Sequence, residues 1–163
     1  MTQKIVMKMN LRMNNKEVRE KAISLLSRRS HSAKELRKKL LKRNYSRSKI
    51  NQVIQGLKES GYLDDEKFAE QWIKNRIEKK PRGKALIKSE LLQKGVDRRI
   101  IEEKLNSLLP TSREKEMAQH LADKWLNKKR GKEENIKEKL YRYLNNKGFD
   151  REIIREIINY DNH

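Results

Sequence analysis

The amino-acid sequence predicts an all-α protein built from three tandem three-helix, helix-turn-helix-like repeats, and three observations carry that expectation. Two prolines and six glycines in 163 residues are too few breakers for the many turns of a sheet protein, whereas 40% charged residues suit long surface helices. Apolar residues recur at helical spacing from Lys16 to the end of the chain. One turn design occurs three times, as Asn44-Tyr45-Ser46, Gly95-Val96-Asp97 and Gly148-Phe149-Asp150, separated by 51 and 53 residues. A unit of this size buries little apolar surface alone, so neighbouring units should stack into an elongated, curved array. Small-angle scattering tests this against the radius of gyration of about 15 Å expected for a compact globule of this length.

Residues 1–15 alternate Met7, Met9, Leu11 and Met13 with polar residues, too briefly to pair, and are expected to be an extended or disordered tail. The first repeat, 16–63, opens with Val18, Ala22, Leu25 and Leu26 on one helix face. Ser32 and Glu35 have the form of a capping box, ahead of Leu36, Leu40 and Leu41. That helix should stop at Asn44, which tolerates a left-handed cap, with Tyr45 folding back as its apolar contact. Ser46 caps a third helix carrying Ile50, Val53, Ile54 and Leu57, and Gly61 ends it with Tyr62 and Leu63 folded underneath. Asp64, Asp65 and Glu66 then put negative charge where the next helix dipole favours it.

The second repeat, 64–110, repeats the plan: Phe68, Ala69, Trp72, Ile73 and Ile77, a break at Pro81 and Gly83, then Ile87, Leu91 and Leu92 up to Gly95. After the Asp97 cap come Ile100, Ile101, Leu105 and Leu108. The third, 111–163, begins with Thr111 and Glu114 in capping-box form and an apolar row of Met117, Leu121 and Trp125. It continues with Ile136, Leu140 and Leu144, the turn at Gly148, and Ile153, Ile154, Ile157 and Ile158.

The formal charge of +19 is uneven. Residues 1–63 hold 17 Lys and Arg against 4 Asp and Glu, 64–110 hold 12 against 9, and 111–163 hold 13 against 10. Such a field attracts polyanions, and nucleic acid or a protein coated with it is the first partner class to consider. The expected contact residues are Lys34, Arg37, Lys38, Lys39, Lys42 and Arg43 on the second helix, with Arg28 and Arg29 before it. Two Gly-containing basic joints add Lys79, Lys80, Arg82 and Lys84, then Lys128, Lys129, Arg130 and Lys132.

Enzyme signatures are missing: no phosphate-binding loop, GxSxG or HExxH motif occurs, and cysteine is absent. His31, His120 and His163 lie far apart, and His31 and His163 read as solvated bystanders. No metal or cofactor is expected. Helix capping explains Asp64, Asp65 and Glu66 better than a magnesium site, and core packing explains Trp72 and Trp125 better than base stacking. No apolar run reaches the roughly 18 residues of a membrane span and no signal peptide is recognisable, so a cytoplasmic location is expected. The short inter-helix turn also invites a duplex-reading mode. Mixed-charge helices argue against it in the later repeats, whereas Arg47, Lys49, Asn51 and Gln52 keep it open for the first.

With these residues assembled, the chain resembles the RecX family of regulators of the RecA recombinase. The matching segments are SRRSHSAKELRKKLLKR (27–43), ESGYLDDEKFAEQWI (59–73), ELLQKGVDRRII (90–101) and LNNKGFDREII (144–154), with Asn44 where the family commonly has glycine. The resemblance implies a non-catalytic protein without cofactors that lies in the groove of the RecA filament on DNA. There it limits filament growth, ATP hydrolysis and strand exchange, in recombination, DNA repair and the SOS response. It also implies weaker, salt-dependent binding of single- and double-stranded DNA, and a monomer is expected. The competing expectations are a helix-turn-helix protein acting on duplex DNA without RecA, and an enzyme acting on nucleic acid with a metal-dependent activity that needs Asp64 or Asp65.

Overall fold

The computed structural model describes residues 15–129 and 135–160. Residues 1–14, for which an extended or disordered tail was expected, and His163 lie outside them. Among the described residues the chain forms nine α-helices and no strand: α1 Lys16–Leu26, α2 Ala33–Leu41, α3 Arg47–Glu59, α4 Asp65–Glu78, α5 Lys84–Gln93, α6 Arg98–Leu108, α7 Thr111–Lys129, α8 Ile136–Asn146 and α9 Arg151–Tyr160. The described chain divides into two compact units. One runs to Phe68 and includes the turn Lys94–Val96; the other takes Ala69–Gln93 and everything from Asp97 onward.

In the first unit α1, α2 and α3 pack on one another around Val18, Ala22, Leu25, Leu36, Leu40, Ile50, Ile54 and Leu57. Each fully buried Leu or Ile contributes about 1.5–3 kcal/mol of transfer free energy, so this face holds the three helices together. The expected capping box forms: Glu35 N–H donates to Ser32 Oγ at 3.1 Å and Ser32 N–H to Glu35 Oε2 at 3.4 Å. Asn44 takes the left-handed conformation at φ 62°, and Tyr45 folds back on the core with its hydroxyl donating to Glu17 at 3.0 Å. At the end of α3 only Leu63 tucks under, its N–H closing on the Leu57 carbonyl at 3.1 Å, while Tyr62 is 64% exposed. One bond fixes Leu63 toward the core, and its chain neighbour points the other way.

Two hydrogen bonds join the N-terminus of α2 to later parts of this unit. Ser32 Oγ–H donates to the Lys94 carbonyl at 2.6 Å, and Ala33 N–H, the first amide of α2, donates to Asp65 Oδ1 at 2.8 Å. Asp65 thus caps a helix distant in sequence, while Asp64 caps its own, accepting from Glu66 N–H and Lys67 N–H.

The second unit holds a similar pair of bonds before α5, with a backbone amide in place of the serine hydroxyl. Gly83 N–H donates to the Lys147 carbonyl at 2.9 Å, and Lys84 N–H, the first amide of α5, donates to Glu114 Oε1 at 2.8 Å. Gly83 has to be glycine, because a Cβ there would lie 2.1 Å from the Gly148 oxygen. The expected capping box of Thr111 and Glu114 therefore does not form. Thr111 is already helical, the cap position is Pro110, and proline has no N–H to complete such a box. Around this joint α5 packs on α6, while α7, α8 and α9 enclose Ala118, Ala122, Leu140, Leu144, Phe149, Ile153, Ile154 and Ile157. Gly95 and Gly148 both sit at positive φ, as their turns require.

Candidate nucleic-acid interface

Helix α2 buries Ala33, Leu36 and Leu40 and turns Lys34, Arg37, Lys38, Leu41 and Lys42 to solvent. These five follow i, i+3, i+4, i+7, i+8 spacing, a single stripe about 12 Å long at 1.5 Å per residue. Lys39 and Arg43 flank it. Glu35, the one acid on this helix, is committed elsewhere: Lys94 Nζ lies at 2.7 Å and Arg29 at 3.2 Å. Burial opposes ionisation of Glu35, but the hydrogen bonds from Lys94 and Arg29 outweigh it and hold the carboxyl below its usual range. No described carboxylate pairs with Lys34, Arg37, Lys38, Lys39, Lys42 or Arg43.

That arrangement works against the helix. Lys34/Lys38 and, reaching the C-cap, Lys38/Lys42 are like-charge pairs at i,i+4, each destabilising by roughly 0.2–0.5 kcal/mol, and Lys34 sits in the first turn, where the dipole disfavours a cation. Cations in the last turn recover part of this. The corresponding stripe of α5 reads Ala85, Lys88, Ser89, Leu92 and Gln93, and Lys88 is paired with Glu102 at 2.8 Å. Of these two equivalent helices, α2 carries the uncompensated charge.

The other expected contact residues fare unequally. Arg28 is exposed, and Arg29 reaches Glu35 and the Ser30 carbonyl. Arg37 Nε–H donates to Asn51 Oδ1 at 3.3 Å. Lys79 and Lys80 are exposed and Arg82 is half-buried, whereas Lys84 turns inward to Glu114, Nζ to Oε2 3.8 Å. Lys128 is exposed; the Lys129 side chain, Arg130 and Lys132 lie outside the described residues.

Several side chains take other roles than expected. His31 is 3% exposed, not solvated: its Nδ1 lies 2.9 Å from the Arg29 carbonyl and its Nε2 has no protein partner among the described residues. It packs where the capped end of α2 meets the loop before it. Trp72 Nε1–H and Arg76 Nε–H both donate to Glu90 Oε2 at 2.7 Å, with the guanidinium 4.5 Å over the indole, so this ring clamps α4 to α5. Trp125 packs against the α7–α9 core and stacks on Tyr143, centroids 5.8 Å apart. Two lysines escaped the sequence reading. Lys94 clamps Glu35, and Lys147 lies beside Arg82; both immediately precede a left-handed glycine, and the recurrence of Lys-Gly at the two turns is the signal that marks them.

An open cleft of about 690 Å³ lies among α5, α6, α7 and α9. Its lysines close onto its own acids, Lys84 on Glu114, Lys88 on Glu102 and Lys115 on Glu156. Among the described residues no three His, Asp or Glu side chains converge on a metal position, and no helix is long and apolar enough to cross a membrane.

Comparison with known proteins accounts for the repeats. The family descriptions "RecX, first three-helix domain", "RecX, second three-helix domain" and "RecX, third three-helix domain" match residues 19–57, 64–105 and 113–158. A protein named Regulatory protein RecX from Chlorobium phaeobacteroides is 35% identical over 148 residues, 89% of this chain and 93% of the relative. Its namesake from Clostridium botulinum (strain Eklund 17B) is 38% identical over 143 residues, but the chain spans only 66% of that longer relative. The crystal structure of RecX from Lactobacillus salivarius superposes with a TM-score of 0.79 at 26% identity, covering 90% of this chain and 95% of that one.

Proposed function

Because this chain belongs to the RecX family of regulatory proteins, we propose that it is a non-catalytic regulator that binds the RecA–DNA filament along its groove and restrains filament growth, ATP hydrolysis and strand exchange. The observation that carries this reading is the stripe on α2, whose four cations have no described counter-ion and cost their own helix stability. A surface kept in that state is suited to phosphate or acidic side chains supplied from outside. In this reading Arg28, Arg29 and the α2 cations contact filament or DNA, with Lys79, Lys80, Arg82 and Lys128 as secondary contacts. The repeats 16–63, 64–110 and 111–163 are its binding units, it acts as a cytoplasmic monomer, and it binds free DNA more weakly than the filament.

The test is RecA ATP hydrolysis on single-stranded DNA with and without the chain. Stoichiometric amounts in moderate salt should slow hydrolysis; an unchanged rate would refute the proposal. The alternative, a duplex reader using α3, finds less support: Asn51 accepts from Arg37, and Gln52 accepts from Asn15 at 2.7 Å, so two of its base-reading side chains are occupied. A sequence-dependent footprint on duplex DNA without RecA would restore it.

A further inference from the structure

In the second unit the joint before α5 and the turn before α9 meet backbone to backbone. Besides the Gly83–Lys147 bond, Ala85 N–H donates to the Gly148 carbonyl at 3.2 Å. Arg82 and Lys147 are thereby brought together. Among the described residues neither has an ion-pair partner, and the Arg82 Nε–H is buried with no protein acceptor. A buried donor left unpaired loses its hydration and gains nothing in return. Burial and then the neighbouring Arg82 hold the Lys147 ammonium below its ordinary pKa, the behaviour of two cations crowded without a counter-ion. Lys79 and Lys80, exposed on the same joint, add charge of the same sign. The polar groups of this corner therefore lack one thing, an anion with several acceptor oxygens.

The surroundings select among anions. Lys147 Nζ lies 5.4 Å from the Tyr143 ring, which is itself stacked on Trp125, and both rings are half-exposed. Cations beside aromatic faces are how proteins hold single-stranded nucleic acid, the backbone on the charges and a base near the rings. We infer that Arg82 and Lys147 form a phosphate site that takes one phosphodiester group of a single-stranded nucleic acid. Arg82 presents its terminal guanidinium nitrogens to the phosphate oxygens, and Lys147 neutralises the same group. The inference deepens the proposed reading at Arg82, a secondary contact there, by adding Lys147 and a single-strand phosphate, and it rests on that reading in taking DNA as the polyanion encountered.

The test uses the full chain and a fluorescent oligothymidylate, with anisotropy followed across a salt series. Arg82→Gln and Lys147→Gln should each weaken binding about tenfold, the effect of one charge-assisted hydrogen bond. The double variant should lower the log–log salt slope by about 0.7, the value for one single-strand phosphate. Unchanged affinity and slope in the double variant would overturn the site. So would a variant that binds the oligonucleotide normally yet no longer slows RecA, because the pair would then face protein. Lost oligonucleotide binding supports the site even if the unmodified chain leaves RecA hydrolysis untouched, an outcome that removes only the broader reading. Should the variants fold poorly, NMR of the unmodified protein decides: saturating oligothymidylate should raise the pH at which the Lys147 side chain titrates, and no change overturns the proposal.

Discussion

Glu114 is the sharpest place to perturb the fold, because one buried carboxylate does two separable things. Its Oε1 accepts the first amide of α5 at 2.8 Å, and its Oε2 stands 3.8 Å from Lys84 Nζ. Burial pushes its pKa up; the Lys84 amide and ammonium pull it back, and Asp150 pushes it further up. The net direction is upward, so the negative charge is a cost to the folded state and the acceptor is the useful part. Glu114→Ala leaves a helix-terminal amide unpaired and should destabilise by about 2 kcal/mol, between the loss of a cap and of a buried hydrogen bond. For a protein of this size that lowers the melting temperature by about 4–8 °C. Glu114→Gln keeps an acceptor oxygen and should stay within about 1 kcal/mol of the parent. The pH dependence follows from the sign of the shift. The folded state holds the proton more tightly than the unfolded chain, whose value is near 4.5, so the parent should gain stability relative to the Gln variant as pH falls from neutral toward that value. Urea denaturation at several pH values reads both effects. If Gln is as damaging as Ala, the charge matters and the reasoning is wrong; if Ala costs under about 0.5 kcal/mol, the bond is idle.

Other substitutions divide cleanly on geometry. Gly83→Ala should severely destabilise the second unit, because its Cβ would meet backbone at 2.1 Å, whereas Gly56→Ala in α3, with nothing within 4 Å, should stabilise by about 0.5–1 kcal/mol. Thermal melts giving both the same sign would contradict the packing described. Burial holds the His31 imidazole below 6.5 against the pull of the Arg29 carbonyl, with Arg29 and Lys39 adding to the depression. Its contribution to stability is complete above pH 6.5 and lost as pH falls through the lower folded value, and an NMR titration midpoint above 6.5 would refute this. Replacing Lys34, Lys38 and Lys42 by Ala should flatten the salt dependence of DNA binding by about one log–log unit per lost contact while slightly stabilising α2. An unchanged or steeper slope would move the contact elsewhere, and a less stable helix would refute the like-charge argument.

The sequence alone was sufficient for whatever depends on neighbours in the chain. Helical spacing located the apolar faces, and the three turns take positive φ at Asn44, Gly95 and Gly148 because a helix end needs a left-handed residue that only Gly or Asn supplies easily. The basic helix was legible for the same reason, since a stripe at i, i+3, i+4 is a local pattern. The partners of polar groups were not legible. Glu35 stands among lysines of its own helix, yet it is held by Lys94, and Glu114 looked like a cap for its own helix, yet it serves α5. His31 read as solvated and is buried, while Tyr62 read as tucked under and is exposed. In each case a side chain had several acceptable local states, and tertiary contacts decided among them. A hydrogen bond gains most where water is excluded, and which corner is dry depends on segments about 30–60 residues apart meeting, which no local pattern encodes.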